Sequence, residues 1–88
     1  MLDIKTGDVV KSIQGRDTDN LYIVMKVENN YVYLVDGYAK TTQKPKKKKF
    51  KHIRPTGQTC VSLKEKWNLG QKVLDSEIRK TIDNLNII

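Results

Sequence analysis

Hydrophobic and polar residues alternate along the first 56 residues with the period of two that is typical of β-strands. The alternation predicts five short strands, at residues 7–13, 21–27, 31–35, 38–42 and 50–54. In the second strand, one face is expected to carry Leu21, Ile23, Met25 and Val27. In the third strand, Val32 and Leu34 share a face. The pattern is therefore that of one small sheet.

Turn residues separate the predicted strands. Gly15 adopts positive φ at little cost, and Asp17, Asp19 and Asn20 can bond to their own backbone. The pair at residues 36–37, Asp-Gly, is the strongest hairpin signal, because a type I′ turn needs positive φ at both central residues. Five strands joined by tight turns favour a closed barrel, which leaves no exposed edge. We expect a mainly β fold, an SH3-like five-stranded barrel over residues 1–56.

A lysine-rich segment lies between the fourth and fifth predicted strands. It is expected to be a loop, because Pro45 lacks the backbone donor that a regular ladder would need there. The next proline and glycine, Pro55 and Gly57, are expected to end the β region.

After residue 57 the period changes to that of helices. Ser62 and Glu65 have the capping-box spacing, which predicts a short helix ending at Gly70. Asp75 is predicted to cap a second helix, whose apolar stripe consists of Leu74, Ile78, Ile82 and Leu85. Residues 57–88 are expected to form a helical appendage packed on the barrel, with Trp67 as an anchor. The alternative is that the stripe binds a protein partner.

Positive charge is concentrated in one segment of the chain. The 88 residues contain 17 Lys and Arg against 10 Asp and Glu, a net charge of +7. Eight of the basic residues lie within residues 40–54, which contain no acid. Such charges repel one another unless an anion lies between them, and phosphate is the commonest anion of that kind in a cytosol. The alternative is a solvated loop that only keeps the protein soluble.

Little in the sequence supports an enzyme, a metal protein or a membrane protein. His52, the single histidine, lies among lysines that disfavour its protonation, and Cys60 lies beside apolar residues that suit a small buried hydrophobe. These two residues cannot form a zinc site alone. The longest apolar runs have five residues, and residues 1–5 lack the apolar stretch of a signal peptide. We expect a cytoplasmic protein with no catalytic residues, metal or cofactor.

Basic and aromatic residues are interleaved in a way that favours nucleic-acid binding. Three tyrosines lie opposite the Leu/Ile/Met/Val face and are candidates for stacking on unpaired bases: Tyr22, Tyr31 and Tyr33. The alternative is that they form ordinary cross-strand pairs. Lysines follow a phosphate backbone without reading bases, whereas an arginine in the glycine turn can make a bidentate contact. The residues expected to bind RNA are Lys11, Gly15, Arg16, Lys40, Lys44, Lys46, Lys47, Lys48, Lys49, Lys51, His52 and Arg54.

The two strands around the glycine turn resemble a known motif. Residues 7–17 and 21–27 are similar to the KOW motif of ribosomal proteins and NusG-type transcription factors, with Gly15 at the motif's glycine. The resemblance extends to about residue 56, through residues 35–37, 46–49 and 52–56, which look like KOW proteins of the large ribosomal subunit. It implies an SH3-like barrel whose glycine turn and basic loops contact RNA. Many relatives have a second glycine in this turn, where this chain has residues 17–20, Asp-Thr-Asp-Asn, and two acids there weaken phosphate contacts.

The sequence therefore favours an RNA-binding protein of the translation apparatus, with ribosomal RNA or a ribosomal subunit as its partner. The alternative is a protein-interaction module of the transcription and translation machinery, which would use the C-terminal stripe. Binding to double-stranded DNA is disfavoured, because no predicted helix carries a basic face.

Overall fold

The structure is a computed structural model that describes residues 4–16 and 18–85. Residues 1–3 and 86–88 lie outside the described residues. So does Asp17, which the sequence analysis places in the glycine turn. The fold is mainly β, as predicted. Its elements are β1 (Asp8–Ser12), β2 (Leu21–Glu28), β3 (Tyr31–Val35), β4 (Lys46–Lys49), a 3-10 helix (Phe50–His52), β5 (Ile53–Thr59), α1 (Val61–Asn68) and α2 (Asp75–Asp83).

The five strands form one antiparallel sheet in the order β4-β3-β2-β1-β5. The two edge strands, β4 and β5, are joined only by the three-residue 3-10 helix. In a flat sheet these edges would lie four strand spacings apart, about 19 Å. The chain from Lys49 to Ile53 spans at most about 14 Å. The sheet is therefore curled, so that its two edges approach each other.

The curl gives the sheet an inner and an outer face, each with its own hydrophobic cluster. The inner cluster consists of Ile4, Val10, Tyr22, Val24, Val32, Leu34 and Ile53. The outer cluster joins strand residues to residues of the C-terminal part and consists of Val9, Ile23, Val35, Leu63, Val73 and Ile78. Trp67, Ile82 and Leu85 pack against the outer cluster. The helices thus cover part of the outer face.

The alternation predicted for β2 holds for its first half only. Leu21, Ile23 and Met25 contribute to the outer cluster, as one face should. Val27 instead packs against the inner cluster, because the pairing of β2 with β3 shifts between Val24 and Lys26. A bulge at this position inserts one residue and moves the following side chains to the opposite face.

The prediction that the lysine-rich segment is a loop is wrong at its centre, because residues 46–49 form β4. All four lysines of β4 pair with β3. Pro45 directly precedes the strand, and β4 is an edge strand, so the missing donor costs no ladder bond. The predicted end of the β region at Pro55 and Gly57 is also wrong, since β5 continues to Thr59. It too is an edge strand and tolerates the proline.

The strand predicted at residues 38–42 is absent from the described structure. Gly37 does have positive φ, at +79°. However, the Asp36 carboxylate accepts hydrogen bonds from the backbone N–H groups of Tyr38 and Lys40, at 2.8 and 3.0 Å, which fold the chain locally. Thr42 then donates its backbone N–H to the Asp75 carboxylate at 2.8 Å. This segment therefore docks on α2 instead of returning along the sheet.

The N-caps of both helices lie before the predicted ones, by two positions in α1 and by one position in α2, where Leu74 and not Asp75 precedes the helix. The residue preceding α1 is Cys60, with no side-chain cap, so the prediction for Ser62 is wrong. Helix α2 begins at Asp75 itself, and the carboxylate of Glu77 accepts the backbone N–H of Leu74 at 2.9 Å. Gly70, with φ +72°, follows the end of α1, as predicted. Neither helix is long or apolar enough to cross a membrane.

Candidate nucleic-acid interface

The four lysines of β4 alternate between the two faces of the sheet. Lys46 and Lys48 pair with Leu34 and Val32 and therefore face inward. Lys48 is only 9% exposed. A run that reads as four equivalent cations in the sequence thus contains two kinds of lysine.

The ammonium group of Lys48 reaches across the curl to the far end of β1. It donates to the hydroxyl of Ser12 and to the backbone carbonyl of Gln14, both at 2.6 Å. The Ser12 side chain, itself fully buried, also donates to the Gln14 carbonyl at 3.3 Å. These bonds connect the edge strand β4 to the start of the glycine turn.

Lys47 and Lys49 face outward, beside two tyrosines of β3. Their register partners are Tyr33 and Tyr31. The Lys47 ammonium lies 4.4 Å from the centre of the Tyr31 ring and 5.9 Å from that of Tyr33, which are cation–π distances. The outward side of β3 and β4 is therefore an exposed surface of aromatic rings and ammonium groups.

Tyr33 differs from Tyr31 in its surroundings. Its hydroxyl donates to the Glu28 carboxylate at 3.4 Å, and the Lys26 ammonium lies 5.7 Å from its ring centre. Lys26 and Glu28 form an exposed ion pair at 3.1 Å. The Lys26 ammonium holds the pKa of the Glu28 carboxyl below its usual range, through a hydrogen bond and through its charge. Tyr33 thus lies beside a carboxylate, which disfavours a phosphate there.

The glycine turn lies against the lysine strand. Gly15 has φ +97°, and its carbonyl accepts bonds from Thr18, at 2.6 Å from the hydroxyl and 3.3 Å from the backbone N–H. A second position of positive φ is Asp19, at +72°. At the end of the turn, the Asn20 carbonyl accepts the backbone N–H of Ser12 at 3.0 Å. Arg16 is left exposed at the tip of the turn.

A cleft of about 540 Å³ opens between this turn and β4, and we call it the lysine cleft. Among the described residues, every charged side chain that lines it is basic. The lining residues are Gln14, Gly15, Arg16, Tyr31, Lys46, Lys47, Lys48, Lys49 and His52. The structure thus brings the predicted glycine turn, the lysine run and His52 together at one site.

A second depression of about 400 Å³ lies on the other side of Tyr31, and we call it the side groove. Its lining residues are Asn30, Tyr31, Lys49, Phe50 and Lys51. Tyr31 and Lys49 belong to both depressions. The side groove adds a predicted contact residue, Lys51, to the same surface.

Other predicted contact residues lie away from the lysine cleft and the side groove. Lys11 and Arg54 are register partners on β1 and β5. Lys40 lies in the segment that docks on α2, where its backbone carbonyl accepts the N–H groups of Asp36 and Gly37. Lys44 is exposed before β4. The structure does not place these four residues with the others.

The prediction that Tyr22 is available for base stacking is wrong. Its side chain is only 2% exposed and belongs to the inner cluster. It pairs with Val10 of β1, and its neighbour Ile23 takes the outer face. Both faces of β2 are covered at this point, so the face opposite the aliphatic residues does not reach solvent.

Three residues that line the surface were missed in the sequence: Gln14, Asn30 and Phe50. The signal for Phe50 is its place directly after the lysine run, where a single aromatic ring ends a series of cations. Gln14 and Asn30 carry no such signal, because they enter the site only through the curl of the sheet.

The metal-ligating side chains of residues 4–16 and 18–85 are dispersed. No three His, Cys, Asp or Glu side chains in this part of the chain come together as a metal-binding group. Burial raises the pKa of the Cys60 thiol, and the nearby charge of Asp8 raises it further. A thiol in this setting is a poor nucleophile at neutral pH.

No protein-family model matches the chain, and no curated protein matches its sequence. The geometry and the charge of the lysine cleft and the side groove are therefore the basis for assigning a function.

Proposed function

We propose that this chain is an RNA-binding protein of the translation apparatus, a KOW-type SH3-like barrel that contacts ribosomal or other structured RNA. The lysine cleft carries the proposal. Its walls come from two segments that are distant in sequence, the glycine turn and β4, and its described charged lining is entirely basic. An anionic polymer is the ligand that such a cleft attracts most strongly.

Closure of the curled sheet into a barrel is part of the proposal. Backbone bonds run from Ile13 to His52 and from Phe50 to Asn30, at 3.0 and 3.1 Å, so the linker between the two edges is tied to both ends of the sheet. The hydrogen bonds from the Lys48 ammonium join the edge strand β4 to the end of β1, and they also support closure of the barrel. A barrel would hold the two walls of the lysine cleft at a fixed spacing.

Phosphate contacts are expected to dominate the affinity. If four to six phosphates are neutralised, the logarithm of the binding constant falls with the logarithm of salt concentration at a slope of roughly −3 to −5. Fluorescence anisotropy of a labelled RNA, titrated at several salt concentrations between about 50 and 200 mM, measures this slope. An affinity that does not change with salt would rule out the mechanism.

A pair of double variants tests where the contacts lie. Lys47→Ala with Lys49→Ala should make the salt slope less steep by roughly 1 to 2, because two outward ammonium groups are lost at the lysine cleft. Lys72→Ala with Lys80→Ala removes the same charge from exposed positions near or in α2 and should leave the slope unchanged. Equal effects from the two double variants would mean that only the net charge attracts RNA.

Ultraviolet crosslinking in the native cells, followed by sequencing of the attached RNA, tests the assignment to translation. Peaks in large-subunit ribosomal RNA are the expected result. Peaks confined to other transcripts would keep RNA binding and refute the ribosomal assignment.

The alternative function, a protein-interaction module, receives less support. It would use the apolar stripe of the second helix, but Ile78 is fully buried, and Ile82 and Leu85 pack against the outer cluster. Only Leu74 of this stripe is exposed, at 49%. The stripe is therefore occupied by contacts within the protein.

A further inference from the structure

We infer that the ligand of this surface is an unpaired RNA strand that passes Tyr31, with one base stacked on the tyrosine ring. The inference rests on the proposed function and narrows it, because ribosomal RNA offers both paired and unpaired segments. The observation behind this inference is the position of Tyr31, which lines both the lysine cleft and the side groove.

The two depressions adjoin each other along β4, because they share Tyr31 and Lys49. Both are lined by Lys49, whose ammonium can serve a phosphate on either side of Tyr31. The side groove is also lined by Phe50 and Lys51. Cations on both sides of an aromatic ring are the arrangement by which proteins hold single strands, because the backbone follows the charges while a base stacks on the ring.

The chemistry of the surface favours one strand over two. The two depressions, of about 540 and 400 Å³, are open and place lysines beside the Tyr31 ring. Duplex RNA is recognised across its wide, shallow minor groove, by a surface that follows the shape of the helix. An unpaired strand can present a base to the Tyr31 ring while its phosphates follow Lys47 and Lys49, whereas a duplex keeps its bases stacked inside the helix.

Tyr31 is the tyrosine suited to this role. Tyr22 is buried, and Tyr33 is hydrogen-bonded to the Glu28 carboxylate. The Tyr31 ring has the Lys47 ammonium 4.4 Å from its centre, so a group can approach its face from outside. A base that stacks there would replace the ammonium, and Lys47 would be released to pair with the adjacent phosphate.

The first test compares paired and unpaired RNA on the natural chain. A fluorescein-labelled RNA of about 12 nucleotides, without self-complementarity, is titrated alone and after annealing to its complement, at the same series of salt concentrations between about 50 and 200 mM. The single strand should bind at least about tenfold more tightly than the duplex. Equal or tighter binding of the duplex would overturn the inference. If neither RNA binds, or if the affinity of both is insensitive to salt, the proposed function itself fails.

The second test changes the ring. Tyr31→Leu should weaken binding of the single strand about 5-fold to 100-fold, whereas Tyr31→Phe should bind as the natural chain does, because it keeps the ring. Tyr38→Leu is the matched control, since Tyr38 is 54% exposed and lies in the segment that docks on α2. The salt slope should stay the same in all three variants, because no ammonium group is removed. Circular dichroism confirms that each variant is folded. Tyr31→Leu with unchanged affinity would overturn the inference.

Discussion

The outer face of the sheet has a covered region and an open region, and they differ in chemistry along the same strands. In the covered region, Val9, Ile23 and Val35 are fully buried beneath the C-terminal part of the chain. Two and four residues along β3 from Val35, Tyr33 and Tyr31 stand on the same face, flanked by the lysines of β4. The helices thus leave uncovered the half of the face that is aromatic and cationic.

The open region is therefore not an uncovered part of the hydrophobic core. A surface that is buried in the folded protein would continue the Val and Ile pattern of the covered region. Lysine at the two outward positions of β4 keeps the open region hydrated and protects this edge strand against pairing with another chain. The helices cover one part of the outer face, and the lysines and tyrosines of the open region remain accessible to the ligand proposed above.

The largest difference between the regions should appear in stability. Ile78→Ala, at a fully buried position of the outer cluster, should lower the free energy of unfolding by about 2–5 kcal/mol. Leu74→Ala, at an exposed position before the same helix, should cost about 1 kcal/mol or less. Urea denaturation measures both. Equal losses would mean that α2 does not hold the covered region together.

Gly37 tests the docking of α2 on the sheet. A Cβ at Gly37, which has φ +79°, would lie 2.6 Å from the Asp75 carbonyl oxygen and 2.7 Å from the Arg79 nitrogen. Gly57, at φ +87°, has no atom within 4 Å of that point. Gly37→Ala should therefore destabilise the protein by about 1–3 kcal/mol more than Gly57→Ala does, because only the first adds overpacking to backbone strain. The same loss in both variants would show that α2 shifts freely.

Substitutions of two neighbouring lysines of β4, Lys48 and Lys47, should have different effects on stability and on the proposed RNA binding. Lys48→Met should cost about 1–3 kcal/mol of unfolding free energy, because Ser12 and the Gln14 carbonyl lose a buried donor, and should change the salt slope of RNA binding less than Lys47→Met does, because these two acceptors already hold its ammonium. Lys47→Met should cost about 0.5 kcal/mol or less and make the slope less steep by roughly 0.7–0.9. The reverse assignment of these effects would contradict the alternation of β4.

The smallest effect is expected in the covered region at acid pH. The backbone N–H of Leu74, and then the ammonium of Lys66, lower the pKa of the Glu77 carboxyl below 4.5. A carboxyl with a lowered pKa in the folded state stabilises the protein above its ordinary pKa, and this contribution is lost as the pH falls through the folded-state value. Glu77→Gln should therefore reduce the loss of stability below pH 4.5. Glu65→Gln, an exposed change in α1, is the control. Thermal unfolding at a series of pH values measures both.

The sequence predicted the parts of the fold that depend on local patterns. Strands β1, β2 and β3 follow from period-two alternation, and the end of α1 follows from Gly70. Strand β4 could not be predicted in the same way, because lysine is rare in strands and Pro45 stands before it. Its pairing with β3 depends on the sheet as a whole and overrides the local preference.

The sequence predicted the chemistry of the candidate site but not all of the residues that form it. Gly15, Arg16 and the lysine run were identified from turn chemistry and charge, and the structure brings them together. The burial of Tyr22 and the inward direction of Lys48 were not accessible, since both depend on the sheet having two covered faces and a curl. The tertiary structure determines whether the face of the sheet that carries a residue is buried or exposed. Identical residues in a run can therefore differ in their exposure.

The uniform composition of β4 has a further consequence. Shifting the strand by one residue against β3 would replace lysine with lysine at three of its four positions, so the run itself carries little information about its alignment. That information lies at its boundary, where Phe50 packs against the inner cluster and donates its backbone N–H to Asn30. The insertion or deletion of one lysine would therefore change which lysines pair with β3 once Phe50 has packed in its place. Phe50 thus sets the register of β4, and it determines which lysine is enclosed and which ones face the solvent.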